Sequence, residues 1–443
     1  MSKPSSKQAA KLSPARKRPA SAGPTVSVEA SLKKITPARL AAFEILTLVG
    51  QNKGHSDELL HSARVDALSP EDRNLATTLV MGVLRWQIAL DARIRTLLQR
   101  PEQRLAEPVA IALRLGAFQL LHLNRIPAHA ALSESVELCR AAGEPHATGM
   151  VNAILRKVAA AQKPGIRVHE SVAAFAERLA HPRWLVERWA NTYGRDAALK
   201  ICEADQQEPA EGAMFSADPT QDLPNMDDGS HLVAELTAAA QPDAQKVWDC
   251  CAAPGGKTLI LAHRLANADI LATDVSTKRL ARLEARLSRY TYTSNVRCAV
   301  ADAVTFTSDD LFDLILCDVP CTGTGTLARN PEIRLRLKPE ELPRQAERQR
   351  AILTGALKHL APGGRLVYST CSLEPEECEQ VVEAVTAKQS LRHVPIDPLM
   401  ANLSKSLLSS SIDLSSTVRE GTLRTLPGVH PCDGFYVTIL ERP

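Results

Sequence analysis

The second half of the chain alternates short apolar runs with helical patterns, and this alternation constrains the fold more than any other feature. The runs after Gln245 that have the length and composition of β-strands are 246–251, 270–275, 296–301, 313–317, 365–369 and 435–440. Helical patterns lie between them at 257–266, 277–289, 340–360 and 375–387. Strands that alternate with helices form a parallel sheet covered on both faces. The last run has no preceding crossover helix, so we expect it to be an antiparallel addition.

The first half of the chain is helical in pattern. From about residue 36 to 157, apolar residues recur at helical spacing, as in Ala41, Ile45 and Val49. Ser69-Pro70 has the form of a helix start, with serine as N-cap and proline at the first helical position. We therefore predict a multidomain α and α/β protein. Its parts are an all-α bundle at 34–163, a connecting subdomain at 164–242 and a Rossmann-like domain at 243–443.

Charge is unevenly distributed along the chain. The formal net charge is only +3, but residues 1–39 hold nine Lys and Arg side chains against the single acid Glu29. Residues 1–33 also lack apolar periodicity, so we predict a disordered basic tail on a body of net charge −5. Such a tail suits a polyanionic partner, although basic tails also serve as solubility extensions. Seven Ser within 404–416 predict a flexible loop.

Cysteine usage and hydropathy indicate the compartment. The chain has 10 Cys, no C-x-x-C pair and no recognisable signal peptide, so we expect reduced thiols in the cytoplasm and no metal site. No apolar run approaches the ~18 residues of a membrane span. A disulfide scaffold and a membrane-spanning protein are therefore excluded as classes.

The segment from Asp249 to Thr258 runs from the first predicted strand through a glycine turn into a helix. Glycines let a ligand lie against the main chain, and a helix N-terminus offers free N–H groups. The segment is not a phosphate-binding P-loop, because Cys251 occupies the position of that motif's first glycine. G-x-G-x-x-G is also missing, so a nicotinamide-dependent dehydrogenase lacks its main support.

Two aspartates end the next two predicted strands. Asp274 lies 18 residues after Gly256 and could accept hydrogen bonds from a ribose diol. Asp302 ends the third strand, where it could meet an adenine edge. Each alone could equally cap the helix that follows it. Because three such features occur on successive strands at one edge of a sheet, we favour a nucleotide-type ligand.

Two further segments present cysteines at the same edge. Pro320 ends the fourth strand, and the glycines after it form a tight loop that presents Asp318 and Cys321 to the ligand. Cys371 follows the fifth strand. A strand-end cysteine is usually a small buried apolar residue. Two of them beside an aspartate at a nucleotide-type site instead indicate chemistry.

Five more residues near these segments receive weaker assignments. Arg329, Arg334 and Arg336 follow the loop of the fourth strand and are candidates for phosphate contact, with a solvated basic face as the alternative. We interpret Cys250 and Cys317 as filling the core.

Four of the segments, in order, resemble the Nop/Sun family of S-adenosylmethionine-dependent RNA cytosine-5 methyltransferases. They are D-C-C-A-A-P-G-G-K-T at 249–258, D-V-P-C-T-G-T-G at 318–325, S-T-C-S at 369–372 and D-G-F-Y at 433–436. Val319 and Thr322 depart from the alanine and serine that are more usual in that family.

The resemblance implies a class I methyltransferase fold, S-adenosylmethionine as methyl donor and a set of site residues. Cys371 would be the nucleophile, Cys321 the thiol that helps to release product, and Asp318 the contact to the cytosine edge. Lys257 could favour the Cys371 thiolate or contact RNA. The residues implied around the donor are Cys251, Ala252, Ala253, Pro254, Gly255, Gly256, Lys257, Asp274, Asp302 and Asp318.

Segments of the helical half resemble the NusB-like RNA-binding domain that bacterial 16S rRNA methyltransferases of this family carry. These segments are 113–121, 125–131 and 151–157. The resemblance implies a monomeric enzyme that acts on 16S rRNA. Two alternatives stay open. A tRNA cytosine-5 methyltransferase would share the thiol pair, whereas a non-catalytic NusB-like RNA-binding factor would need neither thiol.

Overall fold

The computed structural model describes residues 30–160, 170–209, 212, 214, 215, 222–406 and 414–443. Residues 1–29 of the predicted basic tail and 407–413 of the predicted serine-rich loop lie outside these ranges. Across the described ranges, no helix combines the length and the apolar character that crossing a membrane would require.

The N-terminal part is a helical bundle, as predicted. Its helices are α1 Pro37–Gly50, α2 Ser56–Leu60, α3 Ala63–Asp66, α4 Pro70–Leu97, α5 Glu107–His122, α6 Ala128–Ala141 and α7 Thr148–Ala160. The predicted helix start at Ser69 is confirmed, because its Oγ accepts the Asp72 N–H at 3.1 Å. Leu79, Leu113 and Leu155 are fully buried in a core that these helices share. Three shorter helices follow, α8 Val172–Arg178, α9 Arg183–Tyr193 and α10 Arg195–Ala204.

Within the described residues, the C-terminal part is built on one nine-stranded sheet. The strands are β1 Lys246–Asp249, β2 Asp269–Asp274, β3 Val296–Val300, β4 Phe312–Asp318, β5 Leu360–Thr370, β6 Arg392–Val394, β7 Val418–Arg419, β8 Thr422–Arg424 and β9 Tyr436–Glu441. The helices are α11 Asp228–Ala240, α12 Gly256–Arg264, α13 Thr277–Leu287, α14 Ile333–Arg336, α15 Glu341–Leu357, α16 Glu379–Thr386 and α17 Asp397–Ser406.

The sheet has the order β3-β2-β1-β4-β5-β9-β8-β7, and β6 also pairs with β9. Strands β1 to β5 are parallel, whereas β9 runs antiparallel to β5, with Leu366 opposite Leu440. The prediction of a parallel sheet with an antiparallel last strand is therefore confirmed. Strand order reverses between β1 and β4, and ligands of such sheets bind in the crevice outside the carboxyl ends of the strands at this point.

The structure differs from the predicted elements near the C-terminus. Strand β5 begins at Leu360, five residues before the predicted run. Pro362, Gly363 and Gly364 interrupt the apolar pattern there. Strands β6, β7 and β8 have two or three residues each, too few for an alternating pattern to show. Residues 404–406, predicted as loop, instead end helix α17.

Helices α8 to α10 pack on the loops at the crevice. Trp189 of α9 is buried in an apolar cluster that includes Leu327 and Leu373. Leu373 lies two residues after Cys371, and the Tyr193 hydroxyl donates to its carbonyl oxygen. The connecting segment thus supports the loops that carry both predicted thiols.

Candidate active site

The predicted site residues converge at the crevice. A cavity of about 300 Å³ opens there. The predicted residues that line it are Cys251, Ala253, Asp274, Asp302, Asp318, Cys321 and Cys371. The others, Ala252, Pro254, Gly255, Gly256 and Lys257, form the turn after β1 and the start of α12. They meet because parallel strands place their carboxyl ends at one edge of the sheet.

The turn after β1 is held at both of its ends. Gly255 is the N-cap of α12 and has a φ of 97°, a conformation that favours glycine. Asp249, at the end of β1, is buried and accepts a hydrogen bond from Thr258 Oγ1 at 2.7 Å. Burial raises the pKa of Asp249 to about 7. This contact ties the strand end to α12 and leaves the turn between them facing the cavity.

Asp274 and Asp302 have two roles at once. Asp274 is almost fully buried, accepts a backbone N–H at 2.9 Å and lies 3.1 Å from Arg279 Nη2. Arg279 also donates to Ala253 O at 2.7 Å, which links the end of β2 to the turn after β1. Asp302 is exposed, and its Oδ1 accepts the Val304 N–H at 3.0 Å. Both carboxylates therefore cap a strand-end turn while they line the cavity.

The two thiols form a close pair. The Sγ atoms of Cys321 and Cys371 lie 3.3 Å apart, although 50 residues separate them in the chain. Both side chains line the same cavity. The contact with Cys321, together with burial, raises the pKa of Cys371 well above that of a free thiol. Cys371 therefore rests as a thiol in this arrangement, and it must lose its proton before it can act as a nucleophile.

Asp318 and Lys257 form an ion pair beside the thiols. Lys257 Nζ lies 2.8 Å from Asp318 Oδ2, and Ser369 Oγ donates to Asp318 Oδ1 at 2.6 Å. Burial alone would lower the pKa of Lys257, but Asp318 and Asp227 together outweigh this effect and the pKa is raised. Lys257 also lies 5.4 Å from the centroid of the Phe435 ring. The site thus contains a fixed cation and an oriented carboxylate next to the two thiols.

Sequence reasoning missed several residues of this site. Glu377 is fully buried and contacts both loops that carry the thiols. It stands in a run with Glu374 and Glu376, which by itself resembles a solvated helix start. Arg279 and Arg348 also line the cavity. No local pattern distinguishes them from ordinary surface arginines.

The predicted phosphate contact of Arg334 is wrong. Arg334 is 2% exposed and donates to backbone carbonyl groups at the junction with the N-terminal bundle. Arg336 donates to two carbonyl groups of that bundle, and Arg329 pairs with Asp433 at 2.7 Å. These arginines hold the loop after Cys321 in place within the protein.

The interpretation of Cys250 and Cys317 as core residues is confirmed, because both are buried. They belong to an apolar cluster with Trp248 on β1 and Ile315 on β4.

Comparison with known proteins gives matches to both parts of the chain. The family model described as 16S rRNA methyltransferase RsmB/F matches residues 236–441, and the NusB family model matches residues 36–160. The probable ribosomal RNA small subunit methyltransferase B of Bacillus subtilis is 30% identical over 92% of this chain and 99% of its own length. The ribosomal RNA small subunit methyltransferase B of Pseudomonas putida is 32% identical over 79% of this chain and 89% of its own.

Among solved structures, the crystal structure of PH0851 covers 92% of this chain and 99% of its own, with a TM-score of 0.68 and 21% identity. It therefore shares the fold. The predicted order of a NusB-like bundle and a Rossmann-like methyltransferase domain is confirmed, as is S-adenosylmethionine as the methyl donor. Because the matches span nearly the whole chain and a relative at 30% identity is covered almost completely, the chain belongs to the RsmB/F family of 16S rRNA methyltransferases.

Proposed function

We propose that this protein methylates carbon 5 of a cytosine in 16S rRNA through a covalent bond between Cys371 and the base. The observation that carries this proposal is the thiol pair, with Sγ atoms 3.3 Å apart beside Asp318. A nucleophile requires only one thiol. A second thiol at this distance fits a reaction in which the first must later be expelled.

The residues around the cavity fit the methyl donor. A volume of about 300 Å³ lies at the lower end of the usual range for small-molecule sites. S-adenosylmethionine, when bound, supplies a methyl group on a sulfonium. We infer that Asp274 accepts hydrogen bonds from its ribose hydroxyls and that Asp302 meets its adenine edge. The turn from Cys251 to Lys257 completes the donor site.

Cys371 acts as the nucleophile in this proposal. Carbon 5 of cytosine is too weakly nucleophilic to take a methyl group unaided. A thiolate that adds to carbon 6 forms an Sγ–C6 bond and turns carbon 5 into an enamine-like carbon. Carbon 5 then bonds to the methyl group as the methyl–sulfur bond of the sulfonium breaks and the thioether leaves. Asp318 contacts the N3/N4 edge and orients the base by accepting a hydrogen bond from its amino group. Lys257, the cation beside it, opposes the rise in the pKa of Cys371 that Cys321 and burial cause, and so favours the thiolate.

Release of the product requires a second step. Carbon 5 loses its proton, the Sγ–C6 bond breaks, and its electron pair returns to Cys371 as the aromatic ring is restored. Cys321 lies next to the nucleophile and assists this elimination. The target base must leave its stack to reach the cavity, as in other enzymes that modify nucleobases.

The choice of 16S rRNA over tRNA is supported by the N-terminal bundle, which matches the NusB family, and by relatives named for the small subunit. Location in the cytoplasm and activity as a monomer belong to the same proposal. The non-catalytic alternative is disfavoured because an RNA-binding module would need neither thiol.

The test is transfer of labelled methyl groups from S-adenosylmethionine to unmodified 16S rRNA and to total tRNA. Wild type and Cys371→Ala, Cys321→Ala and Cys298→Ala variants are compared, with denaturing gels to detect protein–RNA adducts. Cys298 is a half-buried thiol on β3 that does not line the cavity, so its variant is the matched control. We expect label on 16S rRNA, loss of transfer with retained donor binding in Cys371→Ala, and an adduct in Cys321→Ala.

Each other outcome removes a defined part of the proposal. Label on tRNA alone would discard 16S rRNA as the substrate and keep the chemistry. Normal turnover by Cys371→Ala would overturn the covalent mechanism. A Cys321→Ala protein without an adduct, at normal turnover, would remove Cys321 from product release.

A further inference from the structure

Glu377 is a fully buried carboxylate that lies between the two thiol loops. It occupies the short 3-10 turn Pro375–Glu377, which follows Cys371. Its Oε1 accepts the Thr322 N–H at 2.9 Å and Gln349 Nε2 at 2.9 Å. Its Oε2 accepts Ser372 Oγ at 2.5 Å and also the Thr322 hydroxyl. One side chain thus receives donors from the loop after β4, from α15 and from the loop after β5.

The positions of these donors in the chain are specific. Thr322 is the residue after Cys321, and Ser372 is the residue after Cys371. Gln349 also donates to the carbonyl of Pro320, the residue before Cys321, at 3.0 Å. The carboxylate therefore bonds directly to the backbone or side chain of a neighbour of each thiol. These bonds add to the direct hydrogen bonds between the two loops, from the Gly325 N–H to Cys371 O at 2.9 Å and from the Leu373 N–H to Thr324 Oγ1 at 2.8 Å.

Core packing alone does not explain a carboxylate at this place. Burial of a charge away from water is costly unless hydrogen bonds replace its hydration. An apolar side chain of similar volume would fill the same space at lower cost. A buried acceptor with a full set of charge-assisted hydrogen bonds instead fixes the relative positions of the groups that donate to it.

We propose that Glu377 is a positioning residue that sets the spacing and orientation of the Cys321 and Cys371 thiols by holding Thr322 and Ser372. Its importance for turnover rests on the proposed function. Its effect on the spacing of the thiols does not, so the two can be tested separately.

The two carboxylate oxygens differ in a way that defines the variants. Both donors at Oε1 are N–H groups, whereas both donors at Oε2 are hydroxyls, which can turn and become acceptors. A glutamine at 377 can therefore keep its carbonyl oxygen at Oε1 and donate to the hydroxyls from its amide. Glu377→Gln should preserve most of the geometry. Glu377→Ala removes all four hydrogen bonds that this side chain accepts, and Glu377→Asp shortens the side chain so that it cannot reach both loops.

Glu376→Gln is the matched control. Its carboxylate is on the same turn but is partly exposed and pairs with Arg188 on α9. If thiol linkage or methyl transfer slows in the Glu377 variants but not in Glu376→Gln, the cause is therefore not a general effect of neutralising an acid in this turn.

The first readout is the rate at which the two thiols form a disulfide in the free protein. Diamide takes two electrons and two protons from the pair and becomes a hydrazine, and mass spectrometry of the digest counts linked Cys321–Cys371 peptides. We expect rapid linkage in wild type and Glu376→Gln, a small decrease in Glu377→Gln, and a decrease of about tenfold or more in Glu377→Ala and Glu377→Asp. This readout needs no RNA and holds whatever the enzyme methylates.

The second readout is single-turnover methyl transfer with donor affinity measured in parallel. A displacement of the reacting groups by about 1 Å lowers a rate on the order of 100-fold. We expect that loss in Glu377→Ala with an unchanged dissociation constant for S-adenosylmethionine, and substantial recovery in Glu377→Gln. In the Cys321→Ala background, Glu377→Ala should slow formation of the RNA adduct.

A purely structural role predicts other results. Linkage and transfer at wild-type rates in a folded but less stable Glu377→Ala protein would overturn the proposal. Equal decreases of the disulfide-formation and methyl-transfer rates in Glu377→Gln and Glu377→Ala would also overturn it. If Glu377→Ala does not fold, Thr322→Val and Ser372→Ala each remove one hydroxyl link, and wild-type linkage in their double variant would also overturn it. If the variants change the rate of disulfide formation as expected but the wild-type protein methylates no cytosine, the result counts against the proposed function alone.

Discussion

Replacement of Gly325 by alanine tests how closely the loops of the active site must approach each other. The Gly325 N–H donates to Cys371 O at 2.9 Å, and its carbonyl accepts the Gly434 N–H at 2.8 Å. A Cβ at Gly325 would lie 2.2 Å from the Gly434 carbonyl oxygen, against 3.4–4 Å for an ordinary van der Waals contact. Because the obstructing atoms are backbone, no side-chain rotation relieves the clash, and the loop must move by on the order of 1 Å.

The expected magnitude follows from this geometry. Overpacking costs about 1–3 kcal/mol, and the two loop hydrogen bonds contribute about 0.5–1.5 kcal/mol each. We therefore expect the free energy of unfolding to fall by about 2–6 kcal/mol. The same movement displaces Cys321 relative to Cys371, so methyl transfer should slow on the order of 100-fold. Donor binding should persist, because Asp274 and Asp302 follow other strands.

Urea denaturation measures the change in the free energy of unfolding, and single-turnover transfer measures the rate. Gly149→Ala is the matched control. It adds the same methyl group in α7, where no heavy atom lies within 4 Å, and should be neutral or stabilising by up to about 1 kcal/mol. A Gly325→Ala protein with wild-type stability and rate would refute the reasoning, because the loops would then tolerate a wider separation.

Three further predictions concern single charged groups. Asp302→Ala should weaken S-adenosylmethionine binding about tenfold in calorimetry, the effect of one lost hydrogen bond; unchanged affinity would remove Asp302 from the donor site. Lys257→Met removes a cation that lowers the pKa of Cys371, so the pH profile of single-turnover transfer should move to higher pH, and a profile that stays in place would contradict this role. Asp249→Asn removes a carboxyl whose pKa rises from 3.8 to about 7 on folding, so the folded state takes up a proton between these values and wild type loses stability as pH rises through them. In thermal unfolding, the melting temperature of the variant should rise relative to that of wild type from pH 4 to 7. A constant difference between the two melting temperatures would contradict the raised pKa of Asp249.

Local patterns predicted most of the architecture. The helical period identified the N-terminal bundle, and short apolar runs identified the six main strands, five of them to within two residues at each end and β5 to within five. The rule that parallel strands share a carboxyl edge then predicted that Asp249, Asp274, Asp302 and Asp318 lie near one another. The short strands β6 to β8 escaped this reasoning, because two or three residues carry too little pattern.

The sequence by itself determined the types and order of the elements and the convergence of the predicted site residues, both cysteines included, at one edge of the sheet. These depend on periodicity and on residues next to one another in the chain. Only the tertiary structure decided which charged side chains point inward. Arg334 bonds to a carbonyl 249 residues away, and Glu377 bonds to Thr322 across 55 residues. Whether a charge is buried or solvated depends on such distant partners, because only they can replace its hydration, and no local pattern encodes them.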